Sequence, residues 1–191
     1  MTARKLALRD QLLTRRNRLS LAEVGDAARS IAEQLLATTE VRRAATVAAY
    51  ASVGTEPGTT ALLETLLDAG RRVILPVLMR GGDLDWAVFH GDLMPAGRGL
   101  LEPAGPRVGA GAIATADAVL TPGLAVDRTG MRLGRGGGSY DRALARVPVG
   151  TFTCTLLYDE EVLDEVPVDD HDQRVLAAVT PRRLIRFRAP G

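Results

Sequence analysis

Four glycines fall within five positions, at Gly134, Gly136, Gly137 and Gly138, with Arg132 and Arg135 beside them and Ser139, Tyr140, Asp141 and Arg142 following. Glycine tolerates positive φ and carries no side chain, so several backbone N–H groups can converge on one point. A concavity of amides next to a helix N-terminus favours phosphate oxygens. Guanidinium forks alongside match phosphate geometry. The stretch reads as a nucleotide-phosphate cradle. Taken alone, it also reads as a glycine-rich surface turn with incidental charges. General signatures do not decide between the two. The Gly-Lys-Ser/Thr ending of a P-loop is absent, and Ser139 stands where the dinucleotide pattern needs glycine.

Other residues could contribute charge. Lys5 and Arg9 are four apart and share a face if their segment is helical; a solvated basic stripe has the same spacing. Glu56 falls in a loop, where an exposed glutamate is ordinary. Asp141 lies in the first turn of a predicted helix, a favourable place for any carboxylate. Asp172 belongs to the run Asp169-Asp170-His171-Asp172, which also suits an acidic solvated turn. His171 and His90 are remote from each other, and a surface or capping role fits both. The single cysteine, Cys154, lies in an apolar segment and reads as a buried small hydrophobe. Trp86 and Phe89 read as core or pocket wall. No nucleophile elbow or paired-cysteine zinc motif is present.

The segment Leu133 to Arg142 is similar to the signature of the 5-formyltetrahydrofolate cyclo-ligase (methenyltetrahydrofolate synthetase) family, Gly-x-Gly-x-Gly-Tyr-Tyr-Asp preceded by Arg-Leu, with Ser139 in place of the first tyrosine. Further matches follow in family order at Lys5 to Arg9, Glu56 to Thr59, Leu101 to Pro103, Pro122 to Asp127, Val166-Pro167 and His171-Asp172. The resemblance thus spans almost the whole chain. It implies ATP- and Mg²⁺-dependent conversion of 5-formyltetrahydrofolate to 5,10-methenyltetrahydrofolate, with release of ADP and phosphate. ATP is then a co-substrate, held by Lys5, Arg9, Arg132, Leu133, Gly134, Arg135, Gly136, Gly137, Gly138, Ser139 and Tyr140. The folate is held by Arg9, Ala51, Glu56, Arg135, Gly136, Gly137, Gly138 and Ser139. Glu56 suits that part because a carboxylate offers two acceptors to the paired N–H donors of a pterin edge. Asp141 and Asp172 are the Mg²⁺ ligands the resemblance implies, and two carboxylates plus phosphate oxygens and waters satisfy that ion. Asp169 or Asp170 could substitute. Arg132 and Arg135 are the implied catalytic pair, with no protein nucleophile required. Ser139 removes a stacking surface, so weaker folate binding or altered tail preference is expected. The alternatives are a non-catalytic nucleotide- or folate-binding homologue and an α/β phosphosugar-handling protein.

These residues need a scaffold. Residues 2–19 carry Leu8, Leu12 and Leu19 near helical spacing, and Ser20 with Glu23 forms a capping-box pattern opening a second helix to about residue 37. Strands are expected at Ala45–Tyr50, Val73–Leu75, Leu84–Phe89, Ala118–Thr121, Phe152–Leu157 and Leu176–Thr180, and helices at Thr59–Ala69, closed by Gly70, and Tyr140–Arg146. Alternation of strand and helix predicts an α/β layered fold, with a largely parallel central sheet flanked by helices and an N-terminal helical pair. Ligands on such sheets bind beyond the strand C-termini. Glu56 and the glycine loop both follow strands.

The 191 residues suffice for one domain, expected to span 1–191. A formal net charge of +1 gives no footprint for nucleic acid or an anionic membrane. One cysteine excludes a disulfide framework. No apolar run reaches spanning length, and the charged, helix-like N-terminus does not read as a signal peptide. A soluble, cytoplasmic monomer acting on small molecules is expected.

Overall fold

Three short runs alternate between two hydrophobic layers, and that alternation defines the sheet. Along Val47-Ala48-Ala49, Val73-Ile74-Leu75 and Ala118-Val119-Leu120, the outer members of each trio face one core and the middle member faces the other. Successive strand side chains point to opposite faces, so continuous apolar runs indicate strands covered on both sides. In the computed structural model, which describes residues 3–187, these runs lie in β1 (Thr46–Ala48) and the residue after it, β2 (Arg72–Leu78) and β6 (Ala118–Pro122). They form a seven-stranded sheet ordered β12-β11-β9-β6-β1-β2-β3, where β3 is Leu84–Val88, β9 Phe152–Leu156, β11 Ala177–Val179 and β12 Leu184–Arg186. The strands β2, β1, β6, β9 and β11 run parallel, and β3 and β12 close the two edges antiparallel.

Helices cover both faces. On one side α2 (Leu21–Ala37) and α4 (Thr60–Asp68) supply Ile31, Leu35, Leu62 and Leu66. Ser20 caps α2 by accepting from the Glu23 backbone N–H while the Glu23 carboxylate accepts from the Ser20 backbone. Thr38 ends α2 and caps α3 (Thr39–Arg43) with the same side chain. On the other side α5 (Ser139–Leu144) brings Ala143 and Leu144 to Trp86, Ile113 and Val119. Trp86 is fully buried, so its part is core.

A smaller layer stands above the strand C-termini. Strands β7 (Ala125–Asp127), β8 (Arg132–Leu133) and β10 (Val162–Leu163) make a three-stranded sheet over a third cluster of Leu124, Ala125, Leu133 and Val166. Leu12 of α1 (Ala3–Arg16) completes that cluster. The predicted helix start at residue 2 lies outside the described residues. A hairpin, β4 (Leu93–Pro95) with β5 (Leu101–Pro103), projects beside β2. No helix among the described residues is long and apolar enough to cross a membrane.

Candidate active site

Strand order reverses at β1: its chain continuation β2 lies on one side, and β6 lies on the other. Loops leaving the C-terminal ends of such neighbours diverge and open a crevice. The crevice is a cavity of about 610 Å³, within the range of small-molecule sites. Its walls come from the loop after β1, the segment from Pro122 through α5, one face of α1, the turn around Asp169 to Asp172, and the β4–β5 hairpin. Every residue the sequence singled out for ATP, folate or metal lines it. Lys5 and Arg9 contribute from α1, Ala51 and Glu56 from the first loop, and Asp172 from the late turn. The stretch from Arg132 to Asp141 forms a continuous wall.

The loop after β1 is held closed by reciprocal bonds. Ser52 N–H donates to Thr59 Oγ1 at 2.9 Å, Thr59 N–H donates to Ser52 Oγ at 3.0 Å, and the Thr59 hydroxyl donates to Tyr50 O at 2.8 Å. Glu56 is thereby pinned with 7% exposure. Its Oε2 accepts from the Val53 N–H at 3.0 Å, and its Oε1 meets Arg135 Nη2 at 3.0 Å. Arg135 itself is 55% exposed, so this ion pair joins a fixed acid to a mobile cation.

Gly136 and Gly138 have φ of 102° and 64°, the left-handed region that L side chains adopt only with strain. They turn the backbone from β8 into α5. Since α5 is a six-residue helix, its dipole is small. Arg9 Nε donates to the Gly134 carbonyl at 2.8 Å, tying the loop to α1. The Arg142 guanidinium donates to the Gly137 carbonyl at 3.0 Å. With these carbonyls engaged by arginines, the loop is fastened through its acceptors. Ser139 opens α5 on the cavity wall.

Arg132 is almost fully buried. Its Nη2 lies 3.0 Å from Asp141 Oδ1, and its guanidinium sits 5.7 Å from the Tyr140 ring centroid. Asp141 Oδ1 also accepts from the Gln173 N–H at 3.3 Å. Lys5, 3% exposed, lies 2.8 Å from Asp169 Oδ2 and 2.5 Å from Asp172 Oδ2. Burial disfavours the charge on Lys5, but the hydrogen bonds it donates to Asp169 and Asp172, with the charges of those carboxylates, outweigh it and raise its pKa. The same ammonium holds the Asp169 carboxyl below its ordinary value. Lys5 is therefore part of a buried charge network, not of a solvated stripe.

Both acids implied for Mg²⁺ keep an oxygen available. Asp141 takes its two hydrogen bonds on Oδ1, and Asp172 takes those of Lys5 and the Asp169 N–H on Oδ2. A hard cation that prefers one or two carboxylates plus phosphate oxygens fits that donor set. Asp169, His171 and Asp172 also bring one ligand atom each within 4.8 Å of one another. Asp169 is thus a third oxygen in the same turn. The His171 side chain is 72% exposed at the rim.

The tyrosines were less legible. Tyr50 and Tyr140 line the cavity, and their hydroxyls have no hydrogen-bond partner among the described residues. Burial pushes both phenols well above their ordinary pKa, with the Glu56 charge adding to it, so both remain protonated donors. Sequence reasoning placed Tyr140 in the site but passed over Tyr50, the residue before Ala51. It also assigned no role to Arg98, Leu100 and Leu101, which line the cavity from the hairpin. The signals there were the Gly97-Arg98-Gly99 turn pattern and the family match at Leu101 to Pro103. Cys154 is fully buried, and burial raises its thiol pKa, so it is no nucleophile.

Comparison with known proteins bears on the whole chain. Residues 1–181 match the sequence profile of the "5-formyltetrahydrofolate cyclo-ligase family". A protein of Mycolicibacterium smegmatis named 5-formyltetrahydrofolate cyclo-ligase is 44% identical over 146 residues, 73% of this chain and 75% of that protein. The protein of that name in Escherichia coli K12 is 31% identical over 180 residues, 89% of this chain and 96% of its own. The solution structure of Aquifex aeolicus 5,10-methenyltetrahydrofolate synthetase superposes with a TM-score of 0.83 at 28% identity, covering 98% of this chain and 94% of the other.

Proposed function

Because the chain belongs to the 5-formyltetrahydrofolate cyclo-ligase family, we infer that it is an enzyme converting 5-formyltetrahydrofolate to 5,10-methenyltetrahydrofolate at the expense of ATP. The observation that carries this reading is the meeting of three recognition chemistries in one cavity: a fixed carboxylate, a glycine-amide cradle ringed by cations, and two acids with spare oxygens.

In the reaction, the formyl oxygen attacks the γ-phosphorus and ADP leaves, giving a phosphorylated iminium at N5. N10 then attacks the former formyl carbon. The carbon–oxygen bond breaks, phosphate departs with its electrons, and loss of the N10 proton leaves the methenyl bridge. No step uses a protein nucleophile. Such chemistry asks the protein for positioning and charge stabilisation.

Glu56 suits the pterin edge, because its two oxygens are preset by the Val53 N–H and the closed loop. Arg135 suits the transferring phosphoryl group, because its side chain is exposed and its one partner among the described residues is Glu56. Folate arriving on Glu56 would free Arg135 to swing to phosphate, so the first ligand prepares the site for the second. Lys5 and Arg9 serve the polyphosphate from one helix face. Arg132, committed to Asp141, is a positioning residue for that acid. Asp141 and Asp172 would hold Mg²⁺, which would supply positive charge against the polyphosphate.

The test is direct. Purified protein with 5-formyltetrahydrofolate, Mg²⁺ and ATP should develop methenyl absorbance, and omission of ATP should abolish it. Calorimetric binding of both ligands with no absorbance change would instead identify a non-catalytic binder.

A further inference from the structure

Arg98 is the sole non-glycine residue among those described with a left-handed backbone, at φ 63°. It sits between Gly97 and Gly99 at the turn of the β4–β5 hairpin, where the Ala96 N–H donates to Leu100 O at 2.8 Å. A Cβ makes that conformation costly, and glycine, already present on both sides, would relieve it. Strain of this kind persists where a side chain is needed. The Arg98 side chain is exposed, lines the cavity, and has no hydrogen-bond or ion-pair partner among the described residues.

The other cavity cations are engaged. Lys5 meets Asp169 and Asp172, Arg132 meets Asp141, Arg135 meets Glu56, and Arg9 donates to the Gly134 carbonyl. Glu102 on the same hairpin accepts from the Leu78 N–H at 2.9 Å, which fastens the arm to β2 and fixes where Arg98 is presented. The apolar part of the wall, Pro76, Leu78, Leu84, Leu100 and Leu101, comes from β2, β3 and this hairpin. A reduced folate has a pterin head, an aminobenzoyl ring and a glutamate tail with two carboxylates. Glu56 answers the head and the leucines answer the ring. The tail needs a cation that the phosphate side has not claimed.

Resting on the folate reading above, we propose that Arg98 is a specificity-determining residue that binds the carboxylates of the folate tail from the tip of the hairpin. The arm then measures the end of the substrate remote from the chemistry. Its contribution falls on substrate affinity and leaves phosphoryl transfer unchanged.

Arg98→Gly tests this without straining the turn, and Arg98→Asn repeats it with the side chain that best tolerates positive φ. Three compounds are compared: 5-formyltetrahydrofolate, its polyglutamate, and 5-formyltetrahydropteroate, which lacks glutamate. For an exposed charge pair, KM for the tailed compounds should rise about three- to tenfold in both variants. KM for the tailless compound, KM for ATP, and kcat should hold, and thermal stability should hold or rise. Calorimetry with the same compounds gives the comparison without turnover. An active variant with the tailed-to-tailless ratio intact overturns the role of Arg98 alone, as does an equal rise for all three compounds. A wild-type protein that neither binds nor converts any of them overturns the folate reading together with it.

Discussion

Glu56 and Arg135 are 79 positions apart in sequence, yet each is the other's ion-pair partner. With Arg135 more than half exposed, the pair contributes little stability and can be exchanged readily. Its value lies in what each member does when released. Removing a preorganised donor from a developing phosphoryl charge typically costs about 10²-fold in turnover. Arg135→Ala should therefore lower kcat by about two orders of magnitude. KM for 5-formyltetrahydrofolate should move far less, as steady-state kinetics with each substrate varied will show. Equal turnover in both proteins would remove Arg135 from the chemistry. Neither the partnership nor the burial of Lys5 against Asp169, 164 positions away, is encoded in any local spacing. The residue types announced charge handling, and only the topology brought the charges together.

The inner face of α1 is as ionic as it is apolar, with Lys5 and Arg16 buried beside Leu12. Arg16 is 2% exposed, with Nε and Nη2 donating to the two Glu161 oxygens at 2.6 and 2.7 Å and Nη2 also donating to Gly123 O at 2.7 Å. The Tyr158 ring lies 5.5 Å from the guanidinium carbon. Breaking a buried pair by deleting one charge commonly costs about 3–5 kcal/mol, whereas replacing both with apolar residues can be neutral. Glu161→Gln should thus destabilise by about 3 kcal/mol in urea unfolding, and should raise KM for ATP by loosening the helix that presents Lys5 and Arg9. If Arg16→Met combined with Glu161→Leu is no more stable than Glu161→Gln, the uncompensated charge is not the cause.

The elements differ in how far the sequence reveals them. The capping box at Ser20 and Glu23 and the double-sided apolar runs of β1, β2 and β6 carry their own signals, and both match the fold. The strands β7, β8 and β10 have two or three residues each, too few for any period to register. In the hairpin, Pro95 and Pro103 and the exposed Met94 mask the strand pattern. Those silent elements shape much of the cavity, so the ligand chemistry was legible earlier than the architecture that holds it.

For the whole molecule, the reversal of strand order decides where the cavity opens, and ion pairs decide how it meets acid. Arg146 holds Asp83 below its ordinary value of 3.8, Arg186 holds Glu40 below 4.5, and Lys5 holds Asp169 below 3.8. Each carboxyl is more acidic folded than unfolded, so the unfolded chain takes up protons first as pH falls. Their contribution is complete above the ordinary carboxylate values and is lost as pH drops through the depressed ones. The melting temperature should be level from pH 7 to about 5 and fall below about 4. Asp83→Asn should make that fall shallower. A level melting temperature from pH 5 to 3 would contradict the linkage.

The span of the α1 contacts has a consequence for biosynthesis. Lys5 and Arg16 find their acids 145 to 167 positions downstream, so on the ribosome this helix is made well before the residues it pairs with. Contacts of such long separation form late. The nascent chain can lay down its central strands before α1 meets these acids, and the cavity wall is complete only once they have joined.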